Sequence, residues 1–63
     1  MTNTKPIPAV GTIVKIIHGD FLGELGTVEE TYSLADNRWG VYVVINSSGK
    51  VYSFLDVDVE LLT

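Results

Sequence analysis

The sequence predicts a single all-β domain, a small five-stranded antiparallel barrel with a short 3-10 turn before the last strand. A chain of 63 residues is long enough for one domain with a thin core. Runs of β-branched and aromatic residues recur at short intervals, with turn-forming residues between them. No window carries a sustained apolar repeat at helical spacing. These observations together favour strands over helices throughout the chain.

The first residues are predicted to lie outside the barrel. Residues 1–5 are polar apart from Met1, and the prolines in Pro6-Ile7-Pro8 favour an extended path. We expect residues 1–9 to be a flexible tail and lead-in, with the domain covering residues 10–63.

The first half of the domain predicts two strands separated by a loop. Residues 12–18 hold four β-branched aliphatics around one lysine, which is typical of a nearly buried strand. Three glycines in residues 19–26 favour a turn or bulged loop. A second strand is expected at about residues 25–31.

The second half predicts three more strands. After a loop over residues 32–39, with a turn at Asp36-Asn37, residues 41–45 form the most apolar run and the natural central strand. A hairpin at residues 46–49 leads into a fourth strand.

The C-terminal segment is expected to continue from that fourth strand, residues 50–54, into a 3-10 turn at residues 55–57 and a fifth strand at residues 58–62. A helix over residues 56–63 is disfavoured by its alternating Asp and Val residues. The residues expected to be buried in this barrel are Val14, Ile16, Val28, Val43, Phe54 and Leu61.

Charge and composition limit the possible partners. The net charge is −4, from four basic and eight acidic side chains, so direct binding of RNA or DNA phosphates is disfavoured. This sign suits a basic protein surface better. The chain has no cysteine and no apolar run long enough to span a membrane, so we expect a cytoplasmic protein without membrane insertion.

A glycine pattern follows the first predicted strand. Gly19, Gly23, Gly26 and Val28 fit the spacing Gly-x-x-x-Gly-x-x-Gly-x-Val. With the strand before it, this segment resembles the KOW motif of NusG-type elongation factors and several ribosomal proteins. The resemblance implies an SH3-like barrel in which these glycines shape a sharp corner, and Gly26 is expected to be the least replaceable of them.

The same resemblance implies an RNA-, ribosome- or transcription-associated module as an alternative function. In KOW domains that contact RNA, the loop commonly carries Lys or Arg, whereas here Asp20 and Glu24 flank it. The groups that could supply positive charge to such a module are Lys15, His18, Arg38 and Lys50.

No residue pattern indicates catalysis, a metal or a cofactor. His18 is the only histidine, and no serine lies in a Gly-x-Ser-x-Gly elbow. Asp56, Asp58 and Glu60 alternate with apolar residues, which predicts a solvated strand face and not a calcium loop. An enzyme is therefore the least supported class, and no cofactor is expected.

The aromatic residues carry the remaining functional signal. Phe21, at a loop tip, and Trp39, at a loop-to-strand junction, are expected to be hard to bury fully, and exposed aromatics between polar loops are recurrent binding anchors. The alternative is that each of them only caps an open end of the barrel. The sequence thus predicts a non-enzymatic docking module for an unidentified protein partner. Its candidate contact residues are Phe21, Leu22, Tyr32, Arg38, Trp39 and Tyr42.

Overall fold

The computed structural model describes residues 6–62, which form five strands and one short 3-10 helix. The elements in chain order are β1 (Ile13–Ile16), β2 (Leu25–Ser33), β3 (Trp39–Ile45), β4 (Val51–Leu55), the 3-10 turn (Asp56–Asp58) and β5 (Val59–Leu61). The all-β class, the five antiparallel strands and the turn before the last strand are thereby confirmed. The turn begins one residue later than the sequence predicts.

The strands form one antiparallel sheet in the order β4-β3-β2-β1-β5. β2 is the longest strand and pairs with β3 from Gly26 to Ser33, while its first residues also pair with β1. β4 and β5 are the two edges of this sheet. Closure of the sheet into a barrel stays a prediction.

The core lies on one side of the sheet, and alternation along β3 shows why. Its odd-numbered residues are fully buried, whereas Tyr42 is exposed and Val44 is half-buried. The buried hydrophobic residues are Val14, Ile16, Val28, Trp39, Val41, Val43, Ile45 and Val59. Two residues expected to be fully buried, Phe54 and Leu61, are half-buried and pack against this cluster. We call this side of the sheet the inner face.

A β-bulge in β2 changes which residues face the core. Val28 pairs with Val43, but the next pair in the ladder is Glu30 with Tyr42, so Glu29 is an extra residue in β2. Val28 is buried, whereas Glu30 is exposed. The bulge therefore places the Tyr32 side chain on the side of the sheet opposite the core. Regular alternation counted from Val28 would instead point Tyr32 towards the core.

The lead-in contacts the sheet before β1 begins. Pro8 is buried, the Thr12 amide donates to the Ala9 carbonyl at 3.1 Å, and the Gly11 amide donates to the Val28 carbonyl at 2.8 Å. The flexible tail expected at residues 1–5 lies outside the described residues.

The loops contain the backbone conformations that their residues favour. Asp36 and Asn37 both have positive φ, of 61° and 62°, and the adjacent Leu34 amide donates to the Arg38 carbonyl at 2.7 Å. Two such residues in succession form the tight hairpin turn that matches the strand twist. Gly19 and Gly23 also have positive φ. These two motif positions therefore adopt a conformation that favours glycine.

Candidate binding surface

Three neighbouring strands, β2, β3 and β4, present a surface on the side opposite the core. Strand pairing arranges nine of their residues in three rows across the sheet. We call this surface the outer face; its rows are Thr27, Val44 and Val51; Glu30, Tyr42 and Ser53; and Tyr32, Gly40 and Leu55.

Tyr32 crosses the outer face from β2 to β4. It is paired with Gly40, and a Cβ added at Gly40 would collide with the Tyr32 ring, so the ring occupies the space above that glycine. Beyond Gly40, the Tyr32 hydroxyl forms a hydrogen bond with the Ser53 hydroxyl at 2.8 Å. The Tyr42 ring lies 5.4 Å from the Tyr32 ring, centroid to centroid, at an interplanar angle of 50°. These contacts hold Tyr32 in one position.

The outer face is apolar and accessible. Tyr42, Val51 and Leu55 are 42%, 45% and 42% exposed, respectively. Glu30 is the only charged residue among the nine. Exposed aliphatic and aromatic side chains grouped around a single carboxylate are typical of an interaction site.

The other predicted contact residues lie elsewhere. Phe21 is half-buried, and its ring centroid lies 4.4 Å from that of Tyr52 and 5.9 Å from that of Phe54, which belong to the inner side of β4. Leu22 is exposed in the same loop. Of the six predicted residues, only Tyr32 and Tyr42 lie on the outer face.

The prediction that Trp39 is hard to bury is wrong. Trp39 is 1% exposed, because it begins β3 at a position whose side chain faces the core together with that of Val41. Its backbone N–H donates to Asp56 Oδ2 at 3.2 Å. Trp39 is therefore a core residue and offers no contact surface.

Arg38 forms an ion pair with Asp56, which the sequence predicts to lie on a solvated strand face. Arg38 Nε donates to Asp56 Oδ1 and Oδ2 at 3.0 and 2.8 Å, and Arg38 Nη2 donates to Asp56 Oδ1 at 2.5 Å. Asp56 is 5% exposed, so it does not share a solvated face with Asp58 and Glu60 as predicted. The alternation with apolar residues predicts a solvated face only within a strand, whereas Asp56 lies in the 3-10 turn, and no local pattern pairs it with an arginine 18 positions earlier.

This pairing shifts the acidity of both groups. The pKa of Asp56 is lowered from 3.8 to about 2, mainly by the hydrogen bonds from Arg38; burial opposes this shift, and the Trp39 N–H supports it. The hydrogen bonds to Asp56 and its negative charge raise the pKa of Arg38. The ion pair thus joins the start of β3 to the 3-10 turn as a charged unit at neutral pH.

We expect the ion pair to contribute stability that is lost in acid. The folded-state pKa of Asp56 is below its unfolded value, so this contribution is present above about pH 4 and is lost as the pH falls towards 2. The melting temperature of the chain and of an Asp56→Asn variant, measured from pH 6 to pH 2, should converge in that window. Parallel curves would show that Asp56 does not titrate with a lowered pKa.

Another possible site consists of His18 and the acidic residues near it. His18 Nδ1 lies 3.0 Å from the Val57 carbonyl oxygen and 3.5 Å from Asp58 Oδ1, contacts that tie the end of β1 to the 3-10 turn. Within residues 6–62, no group of three or more His, Cys, Asp or Glu side chains could hold a metal ion.

In the same residues, no helix has the length and apolar character needed to cross a membrane.

Compared with known proteins, the chain matches no family model, no curated sequence and no solved structure.

Proposed function

We propose that the chain is a non-enzymatic docking module whose outer face binds a folded protein partner. The observation that carries this proposal is the exposed cluster of Tyr42, Val51 and Leu55 beside a Tyr32 ring held above Gly40. The partner surface is an aliphatic patch bordered by Lys or Arg.

The fixed tyrosines favour binding energetically. Tyr32 is restrained by its contacts with Gly40, Ser53 and Tyr42, so little side-chain entropy is lost when a partner covers it. Tyrosine is enriched among the residues that dominate interface energies, because it buries a large rigid ring and keeps a polar group.

Charge favours a basic partner. Glu30 is the single charge on the outer face, and the chain carries a net charge of −4. A lysine or arginine at the edge of the partner patch would meet Glu30 and speed association. Binding of this kind weakens as salt is added, because screening reduces the attraction.

A KOW-type RNA- or ribosome-associated module is the second candidate. It is supported by the positive φ of Gly19 and Gly23, which suits the corner that the motif implies. Against it stand the acidic residues Asp20 and Glu24 in the same loop. The two candidates place the contact surface on different parts of the molecule.

We expect a photoreactive phenylalanine analogue in place of Tyr42 to crosslink the chain to a protein partner. The test adds purified chain to native lysate, irradiates it, and identifies the adducts by mass spectrometry. Adducts should persist after nuclease treatment and decline at high salt. With the partner identified, Tyr42→Ala should weaken binding by about 2 kcal/mol, the loss typical of a central aromatic anchor.

The matched control carries the same analogue at Glu60, an exposed residue on β5. Equal crosslinking from both positions would contradict a specific outer face. Adducts that disappear with nuclease, together with micromolar binding of RNA lost on Lys15→Glu, a change at an exposed basic residue outside the Asp56 ion pair, would favour the second candidate.

A further inference from the structure

The edge strand β4 lacks the features that normally prevent edge strands from pairing with other chains. It has five residues, Val51–Leu55, with no charged residue and no proline. Natural proteins usually protect such edges with charges, proline, a bulge or a very short strand. The other edge, β5, has only three residues, and one of them is Glu60. The comparison identifies β4 as the edge suited to pairing.

The ladder shows which backbone groups of β4 point away from the sheet. The Ile45 amide donates to the Lys50 carbonyl at 2.9 Å, so residues 45 and 50 form a hydrogen-bonded pair. Such pairs alternate along an antiparallel ladder, so Tyr52 and Phe54 bond to β3. The N–H and C=O groups of Val51, Ser53 and Leu55 therefore point outward along the edge.

We propose that β4 pairs in antiparallel orientation with β4 of a second copy of this chain. Ser53 is the middle of the three outward-pointing residues, so a two-fold axis at Ser53 matches the outward groups of both copies. Ser53 then faces Ser53 of the second copy, and Val51 faces its Leu55. Every one of these pairs exchanges two N–H···O bonds. The edge is thus complementary to itself, as a two-fold interface requires.

The side chains that this register places opposite one another are also compatible. Val51 and Leu55 are exposed on the outer face, so each Val51 would pack against Leu55 of the second copy. β4 itself holds no charged residue, so the pairing of its five residues opposes no like charges. The outer faces of the two copies become one continuous surface.

This inference does not depend on the proposed function. Val51 and Leu55 belong to both surfaces, but self-pairing needs the backbone groups at the edge, whereas partner binding needs the Tyr32 and Tyr42 side chains above the sheet. Salt dependence separates the two interactions. Each copy carries a net charge of −4, so added salt should strengthen self-association by screening repulsion, while it weakens binding of a basic partner.

Sedimentation equilibrium at two salt concentrations measures the dimer dissociation constant of the natural chain and of a Ser53→Pro variant, and the comparison tests the proposal. Proline removes the outward N–H of residue 53 but no bond to β3, so the fold should persist, as circular dichroism would check. Two hydrogen bonds are lost across the axis, and we expect at least about a tenfold weaker dimer. Ser53→Ala is the matched control, because it also loses the hydroxyl but keeps the N–H.

A single engineered thiol gives a second readout that does not rely on proline being tolerated. The natural sequence contains no cysteine. Residues facing each other in a hydrogen-bonded pair have Cα atoms about 5.5 Å apart, within the range of a disulfide. Mild oxidation should therefore link Ser53→Cys chains at least about tenfold faster than Glu60→Cys chains.

The two measurements together decide the proposal. A concentration-dependent dimer that weakens with Ser53→Pro and not with Ser53→Ala, or preferential disulfide formation at position 53, supports it. A wild-type chain that stays monomeric to millimolar concentration, with equal oxidation rates for the two cysteine variants, overturns it. A dimer that survives Ser53→Pro and links faster through position 60 also overturns it.

Discussion

We expect Gly26→Val to remove most of the free energy of folding of the protein at 25 °C. Gly26 lies in β2 and is paired with Val14 on one side and Ile45 on the other. A Cβ at this position would collide with the Val43 side chain and lie 2.8 Å from the Val44 carbonyl oxygen. The backbone of a central strand cannot move aside cheaply, so the loss should be about 3 kcal/mol or more. A domain of this size has roughly 3 to 5 kcal/mol in total.

Urea denaturation followed by circular dichroism measures this loss. Thr27→Val is the matched control, since it places the same side chain at the next position of β2, which faces the outer side of the sheet. Its effect should stay within about 0.5 kcal/mol, as for most surface substitutions. If Gly26→Val kept wild-type stability, the sheet would have to adapt around position 26. The close approach of Val43 and Val44 would then not explain why this residue is glycine.

The second large effect is expected for Asp56→Ala, which should reduce the free energy of unfolding by about 2 to 3 kcal/mol. The change removes the acceptor of the buried Trp39 N–H and the partner of Arg38. A hydrogen bond to a charged group contributes about 1.5 to 3 kcal/mol, and Asp56 accepts such bonds from both the Trp39 N–H and Arg38.

Two other variants separate the loss of the Asp56 charge from the loss of its hydrogen bonds and from the removal of any carboxylate. Asp56→Asn keeps a side-chain acceptor for Trp39 but loses the charge, so its stability should lie between those of Asp56→Ala and the natural chain. Glu60→Ala removes an exposed carboxylate nearby and should change the unfolding free energy by less than about 0.5 kcal/mol. An Asp56→Ala protein as stable as Glu60→Ala would contradict the importance of the ion pair.

The strands could be predicted from the sequence because each has its own local signal. β3 contains an unbroken run of apolar residues, and the turn at Asp36-Asn37 has residues that tolerate positive φ. The special position of Gly26 also followed from its motif spacing. These features depend on residues close together in the chain, which is the information that a single sequence carries.

The binding surface was only partly predictable, because it depends on contacts between distant residues. The bulge after Val28 is set by pairing with β3 and leaves no mark in the alternation of β2. Trp39 looked like a junction residue, yet β3 begins at Trp39, and the ion pair of its neighbour Arg38 with Asp56 joins residues that are distant in the chain. A local pattern cannot show which side of a sheet a residue faces once a bulge intervenes.

Because the Tyr32 ring lies above Gly40, the residue type allowed at position 40 depends on the residue at position 32, although the two positions belong to different strands. In a library that randomises both positions, selection for folded chains should recover tyrosine with glycine as a pair, because any Cβ at position 40 displaces the ring. A smaller residue at position 32 would release position 40 from this requirement. The two sites would then vary together across the selected sequences, although 8 residues separate them in the chain.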